Sequence, residues 1–291
     1  MFPPFEMYST LIDVESLRAR LGDPAVLIVD VRHQLADPTA GERAYREGHI
    51  PGAVFMHLDR NLSGAKSGRN GRHPLPDPEQ LAKCFGEFGI HSNTQVIVYD
   101  DAAGMVAGRL WWLLKWLGHD HVALLDGGWQ AWIAQGGSST MEVPNPKHSC
   151  FKANIRPDLL VTVDQVVANL ELQQFVVLDA RSSDRFRGEN ETLDPVGGHI
   201  PNACNRFFRE NLMPGGELKP VEQLKAEYQE LLGERPPHQI VHQCGSGVSA
   251  CLNILAMEHA GLAGSRLYAG SWSEWCAEFD SPQARPVELG A

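Results

Sequence analysis

The stretch Val241-His242-Gln243-Cys244-Gly245-Ser246-Gly247-Val248-Ser249-Ala250 has the residue types and spacing of a nucleophile loop. A short apolar run from Gln239 to Val241 reads as a buried strand. Val248 to Gly261 reads as a helix with Val248, Cys251, Leu252, Leu255 and Met257 on its apolar face. Cys244 is therefore expected where a strand ends, on a tight loop that opens into a helix. Backbone N–H groups converge at such a point, and the helix start adds partial positive charge. Both favour thiolate over thiol and can hold an anion. A buried structural cysteine is the competing reading. Gly245 and Gly247 argue against it, because packing alone does not call for two glycines beside a cysteine. The chemistry indicated is covalent catalysis by sulfur.

The bulk properties narrow what that chemistry can act on. The chain has 291 residues, 43% hydrophobic and 21% charged, which fits a soluble globular protein of two domains or one large one. Its net charge of −11 argues against a nucleic-acid surface. The longest apolar stretch, Leu110 to Leu117, is far short of a membrane span and contains Lys115. Met1 to Thr10 lacks a basic patch followed by an apolar core, so no signal peptide is expected there. The six cysteines (84, 150, 204, 244, 251, 276) form no CxxC pair. That scatter fits reduced thiols in the cytoplasm better than a disulfide framework or a zinc site.

The elements that position the loop are written twice in the chain. Val26-Leu-Ile-Val-Asp30-Val-Arg32 recurs as Phe175-Val-Val-Leu-Asp179-Ala-Arg181, and Gly48-His-Ile-Pro51 recurs as Gly198-His-Ile-Pro201. Gln95-Val-Ile-Val98 recurs as Gln239-Ile-Val241. Leu125-Asp-Gly-Gly-Trp129 recurs as Tyr268-Ala-Gly-Ser-Trp272. The order is constant and the offset nearly so, which marks a duplicated domain of about 140 residues. The expected division is a first, non-catalytic half over 1–142, a linker over 143–156 with Pro144 and Pro146, and a second half over 157–291 that carries the Cys244 loop.

Each half reads as a helix from Ser9 or Thr162, then a buried strand ending in Asp30-Val-Arg32 or Asp179-Ala-Arg181. A polar loop follows, then helical segments from Asp77 and Pro220, a second buried strand, a loop and a long helix. Last come a short strand and a tryptophan-bearing helix. Continuous apolar runs alternating with helices predict an α/β fold, each half a mostly parallel sheet with helices on both faces. Ligands in such folds sit at the carboxyl ends of strands, where Cys244 falls. At a fixed offset, Gly104 matches Gly247 and Trp129 matches Trp272, which puts Asp101 opposite Cys244. The first half then lacks a thiol at its loop, and it is expected to be structural, supplying one wall of a cleft between domains. His49 and His199, and the Asp-x-Arg strand ends, recur in both halves and are therefore expected to be structural.

With these motifs in place, the chain resembles the tandem-domain sulfurtransferases of the rhodanese superfamily, over about residues 9 to 280. Cys244-Gly-Ser-Gly-Val248 is similar to the 3-mercaptopyruvate sulfurtransferase loop, whereas thiosulfate-preferring members usually carry basic residues directly after the cysteine. The resemblance implies that the Cys244 thiolate takes the donor's outer sulfur as a persulfide and passes it to a thiol, thioredoxin or cyanide. It implies no metal or organic cofactor. The loop N–H groups, from Gly245 through Gly247, Val248 and Ser249 to Ala250, would stabilise the anionic sulfur. Arg185 matches the arginine that binds the donor carboxylate, a pairing suited to a guanidinium fork. The family's second arginine, about nine residues on, is replaced by Glu191-Thr-Leu-Asp194-Pro, leaving Arg187 and Arg72 as candidate substitutes. Asp59 and His73 match an Asp and a His that line up with the loop serine, here Ser246. The carboxylate would orient the imidazole, and the hydroxyl would polarise the donor carbonyl.

Three alternatives have distinct signatures. A cysteine phosphatase needs an arginine after five intervening residues to hold phosphate, and Ala250 stands there. A non-catalytic binding module would be expected to lack Cys244. A thiosulfate:cyanide sulfurtransferase shares the mechanism and differs in the donor, which the lost arginine leaves open.

Overall fold

Unbroken aliphatic runs form the central strands because both faces of a parallel sheet are covered and no polar alternation is required. The structure, a computed structural model, describes residues 7–282 and 284–290. Residues 1–6 of the N-terminal segment read above for targeting lie outside the described residues.

The first half runs β1 (Leu11–Ile12), α1 (Val14–Arg18), β2 (Val26–Asp30), α2 (Ala40–Glu47), β3 (Val54–Phe55), α3 (Leu58–Asn61), α4 (Pro78–Glu87), β4 (Gln95–Tyr99), α5 (Ala107–Trp116), β5 (Val122–Leu125) and α6 (Gly128–Ala134). The second half runs β6 (Leu160–Val161), α7 (Val163–Leu172), β7 (Val176–Asp179), α8 (Ser183–Arg187), β8 (Cys204–Asn205), α9 (Val221–Leu232), β9 (Ile240–Gln243), α10 (Ala250–His259), β10 (Arg266–Tyr268) and α11 (Ser271–Trp275), with short 3-10 turns between. Among the described residues each half forms a five-stranded sheet, β1-β5-β4-β2-β3 and β6-β10-β9-β7-β8. Every adjacent pair is parallel. The duplicated α/β architecture expected from the repeat is present, with the same strand order in both copies.

Two local expectations differ. Ser9 does not start a helix: β1 comes first, and Asp13 caps α1 by accepting the Ser16 N–H at 2.8 Å. In the other copy the expected cap holds, since Thr162 and Gln165 form a reciprocal capping box on α7. Helix α10 has no single apolar face. Every residue from Ala250 to Met257 is buried, Asn253 included, so the helix is enclosed all round.

The compact units are not continuous in sequence. One comprises the chain up to Ser63, Pro76–Arg156 and Leu212–Leu218; the other comprises Gly64–Leu75, Pro157–Asn211 and the chain from Lys219. The stretch 143–156 has no helix or strand. It is tied along the first unit: Ser149 donates its N–H to Gly86 O, Asn154 to Leu117 O and Arg156 to Trp116 O, at 2.8, 2.8 and 2.9 Å. The segment Gly64–Leu75 brings Arg72 and His73 into the same unit as Cys244.

Candidate active site

Strand β9 ends at Gln243, and Cys244 follows it directly on the six-residue loop before α10. The turn after β10 holds this loop. Cys244 donates its N–H to Ser271 Oγ at 3.1 Å, while Cys244 O and Gly245 O accept from the N–H groups of Trp272 and Ser273, each at 2.9 Å. Ser271 adopts φ +55° to do this, a left-handed conformation that a non-glycine residue adopts at some cost. Gly247 has φ +73°, and a Cβ there would lie 2.1 Å from Ala269 O, so no other residue fits. Cys244 is buried, at 2% exposure. Its neighbour His242 is fully buried, which pushes its pKa down to about 3, so the ring is neutral and offers the sulfur no charge.

Two guanidinium groups flank the loop. An ideal Cβ on Gly245 would sit 3.1 Å from Arg72 Nη2 and 3.7 Å from both Nη atoms of Arg185. Of the two candidates for the missing arginine, Arg72 is at the loop, whereas Arg187 is a half-buried residue paired with Glu189 at 2.8 Å. Arg185 donates from Nε and Nη2 to Glu191, at 3.0 and 2.8 Å. Burial alone would raise the Glu191 pKa, but the Leu193 N–H and Arg185 outweigh it and hold it below the usual range. His73 is 96% buried, and its Nδ1 lies 2.7 Å from Ser246 Oγ, a hydrogen bond. The Arg72 N–H reaches Ser273 Oγ at 2.9 Å, so the β10–α11 turn holds both the cysteine loop and the Arg72-His73 segment. Sequence reasoning missed Ser271 and Ser273, which lie in the repeated tryptophan motif but differ in type from their first-half counterparts.

Residues 13–135 and 162–278 each match the family described as Rhodanese-like domain. The chain belongs to the rhodanese-like domain family. It is 45% identical over 282 residues to a Pseudomonas aeruginosa protein named "Probable 3-mercaptopyruvate sulfurtransferase", covering 96% of this chain and 98% of that protein. It is 32% identical over 279 residues to the thiosulfate sulfurtransferase of Mus musculus, covering 92% and 91%. Among solved structures, the 3-mercaptopyruvate sulfurtransferase from Leishmania major superposes with a TM-score of 0.82 at 30% identity, covering 94% of this chain and 76% of that one.

The loop after the central strand differs between the two rhodanese-like units. Val31 donates its N–H to Tyr99 O as Ala180 does to Gln243 O, at 3.0 and 2.8 Å. Trp129 donates to Asp100 O as Trp272 does to Cys244 O, both at 2.9 Å. Asp100, not Asp101, therefore stands where Cys244 stands. The fixed offset misplaced it because α5 begins seven residues after Asp100 and α10 only six after Cys244. The Asp100 carboxylate fills its own loop: Oδ1 accepts from the N–H groups of Ala102 and Gly104, and Oδ2 from those of Val106 and Ala107, at 2.8–2.9 Å. In the second loop the N–H groups of Gly245, Ser246, Val248, Ser249 and Ala250 have no acceptor among the described residues.

The residues repeated in both rhodanese-like units hold the fold. Arg32 and Arg181 each pair with the strand-end aspartate, donate to the glycine O before His-Ile-Pro at 2.7 Å, and lie over Trp129 or Trp272 at 4.6 and 4.5 Å. His49 and His199 stack on Tyr45 and Phe186, with ring nitrogens on backbone carbonyls. Asp59 belongs to the first unit. Its carboxylate and ring nitrogens of His33 and His57 lie within 4.8 Å of one another. Both His57 nitrogens are already engaged, Nδ1 by the Asp59 N–H and Nε2 by Pro38 O, each at 3.0 Å. That geometry is a hydrogen-bonded turn rather than a vacant ligand set.

Proposed function

We propose that this protein is a sulfurtransferase that uses Cys244 as its nucleophile, with 3-mercaptopyruvate as the better donor. The observation that carries the reading is the difference between the two loops. The same turn geometry that seats an aspartate carboxylate in the first unit leaves its N–H groups unfilled around Cys244 in the second. A negative charge on sulfur is the group that such a cradle accepts.

The chemistry runs as follows. The Cys244 thiolate attacks the donor sulfur, an S–S bond forms, and the donor's C–S bond breaks with its electron pair passing to carbon. The resulting enolate takes up the proton of the former thiol and leaves as pyruvate, with the persulfide anion held by the loop. Arg72 and Arg185 supply guanidinium N–H groups to the donor carboxylate. With the His73 proton on Nδ1, His73 donates to Ser246 Oγ, and the serine O–H is free to donate to the oxygen that becomes the enolate. Thiosulfate would lose sulfite instead and needs no such proton donor. A small thiol, thioredoxin or cyanide then removes the sulfur. The six free thiols support a reducing, cytoplasmic setting, and no helix among the described residues is long and apolar enough to cross a membrane.

Initial rates on the purified protein test the donor assignment. The expected result is a higher kcat/KM with 3-mercaptopyruvate, and a preference for thiosulfate overturns it. Ser246→Ala should lower kcat with this donor by about 10²-fold while leaving KM nearly unchanged, since the hydroxyl acts on charge that develops only in the transition state. Arg185→Ala should act mainly on KM, raising it about tenfold to hundredfold for loss of a charge-assisted contact. The converse pattern would remove these roles.

A further inference from the structure

The second arginine that the sequence lacks is replaced by an acidic turn, and that turn is built into the site. Asp194 Oδ1 accepts from Arg72 Nη1 at 2.7 Å, and its Oδ2 accepts from Arg185 Nη2 at 3.3 Å. One carboxylate thus bridges the two guanidinium groups beside Gly245. Glu191 accepts from Arg185 Nε and Nη2, sharing Nη2 with Asp194, and lies 3.6 Å from Arg181 Nη1. The Glu191 carboxylate also shapes the turn, accepting the N–H groups of Leu193 and Asp194 at 2.8 and 3.1 Å. The Asp194 side chain is 3% exposed and that of Glu191 4%, while Arg72 and Arg185 are 21% and 20% exposed. The carboxylates sit behind, and the arginines face outward.

Charge then balances locally. Arg72, Arg181 and Arg185 are matched by Asp179, Glu191 and Asp194. The arginines can offer directed N–H groups, but the cluster as a whole carries no surplus of positive charge. Among the described residues Arg72 Nη2 and Arg185 Nη1 have no acceptor, so the means to hold one carboxylate remain. A dianion needs net positive charge more than it needs directed donors, and gains less here.

We propose that Asp194 is a specificity-determining residue, which holds Arg72 and Arg185 as a pair and, together with Glu191, balances their charge so that the site favours a monoanionic donor over the dianion thiosulfate. The inference rests on the sulfurtransferase reading above. The test is Asp194→Asn, assayed with both donors at low ionic strength. Removing one negative charge should raise the ratio of kcat/KM for thiosulfate over kcat/KM for 3-mercaptopyruvate by about tenfold, because the added positive charge acts on two donor charges instead of one. Added salt should shrink that gain. Asp194→Glu, which keeps the charge, should leave the ratio near that of the unaltered protein. A purely structural role would lower both donors together, and an unchanged ratio in folded Asp194→Asn overturns the proposal. Should that variant fail to fold, the unaltered protein decides: acetate should inhibit at least as well as sulfate, and tighter inhibition by sulfate overturns the proposal. If the unaltered protein transfers sulfur from neither donor, the sulfurtransferase reading itself has failed.

Discussion

Replacing Cys244 with serine is expected to remove sulfur transfer, by roughly 10³-fold or more, because no other group can take its place in a persulfide. The other thiols are poorly placed for that chemistry. Cys251 is fully buried in α10, and its Sγ–H donates to Gly247 O at 3.4 Å. Burial, with the Asp194 charge, pushes the Cys276 thiol up to about 12, and burial also raises Cys84. Cys150 is exposed in the stretch 143–156, away from any strand end, and Cys204 lies within β8. Serine at any of these five positions should leave most of the activity. Mass spectrometry of the donor-treated protein should find one added sulfur, on the peptide that contains Cys244. A persulfide mapped mainly to another cysteine would refute the assignment.

That expectation has a counterpart in the first unit. Asp100 occupies the position of Cys244 and gives four N–H groups a permanent anionic partner. The second loop has the same kind of donors without the resident carboxylate. An anionic sulfur at Cys244, as thiolate or as persulfide, would give these donors the partner that the Asp100 carboxylate gives in the first unit. The duplication thus supplies its own control, a copy of the loop in its filled state.

Much of this was legible in the sequence, and the failures have local causes. Both Asp-x-Arg strand ends, both Gly-His-Ile-Pro motifs and both tryptophan tails recur because one hydrogen-bonded scaffold is built twice. The pairing of His73 with Ser246 followed from the resemblance, not from spacing: 173 residues separate them, and no periodicity links such positions. Asp100 was missed because a fixed offset cannot see one additional residue in a loop, whereas backbone hydrogen bonds count from the strand. Asp194 was missed because the segment was read for the arginine it lacks. Its carboxylate matters only once Arg72 and Arg185 are brought to either side of it, a tertiary fact. Helix α10 looked one-sided because Ala250, Asn253 and Ala256 carry little hydrophobic signal, yet all three are buried.

Gly247→Ala should be the most damaging single-methyl change in the loop, and Gly245→Ala should behave differently although both glycines flank the same serine. At Gly247 the backbone has φ +73°, where an L side chain costs about 1–2 kcal/mol. The added Cβ would also lie 2.1 Å from Ala269 O, a backbone atom that cannot swing aside. Relief requires the end of β10 to move, and that turn carries the bonds from Trp272 and Ser273 to the cysteine loop. Losing two such bonds adds about 2 kcal/mol, so a total near 3–4 kcal/mol is expected in denaturant unfolding of the second unit. Whatever folds should have low kcat, because Cys244 would no longer be held at both its N–H and its carbonyl. At Gly245 φ is not in the left-handed region, and the new methyl would meet Arg72 Nη2 at 3.1 Å, the end of a side chain. Stability should change by less than about 1 kcal/mol, because the atom it meets is the far end of a flexible side chain that can shift. The effect should appear instead in KM for the donor, as the two arginines are pressed apart. Equal losses of stability in the two variants would show that the glycines are kept for one reason, and would remove the argument that Gly245 is kept small to leave room for the guanidinium pair.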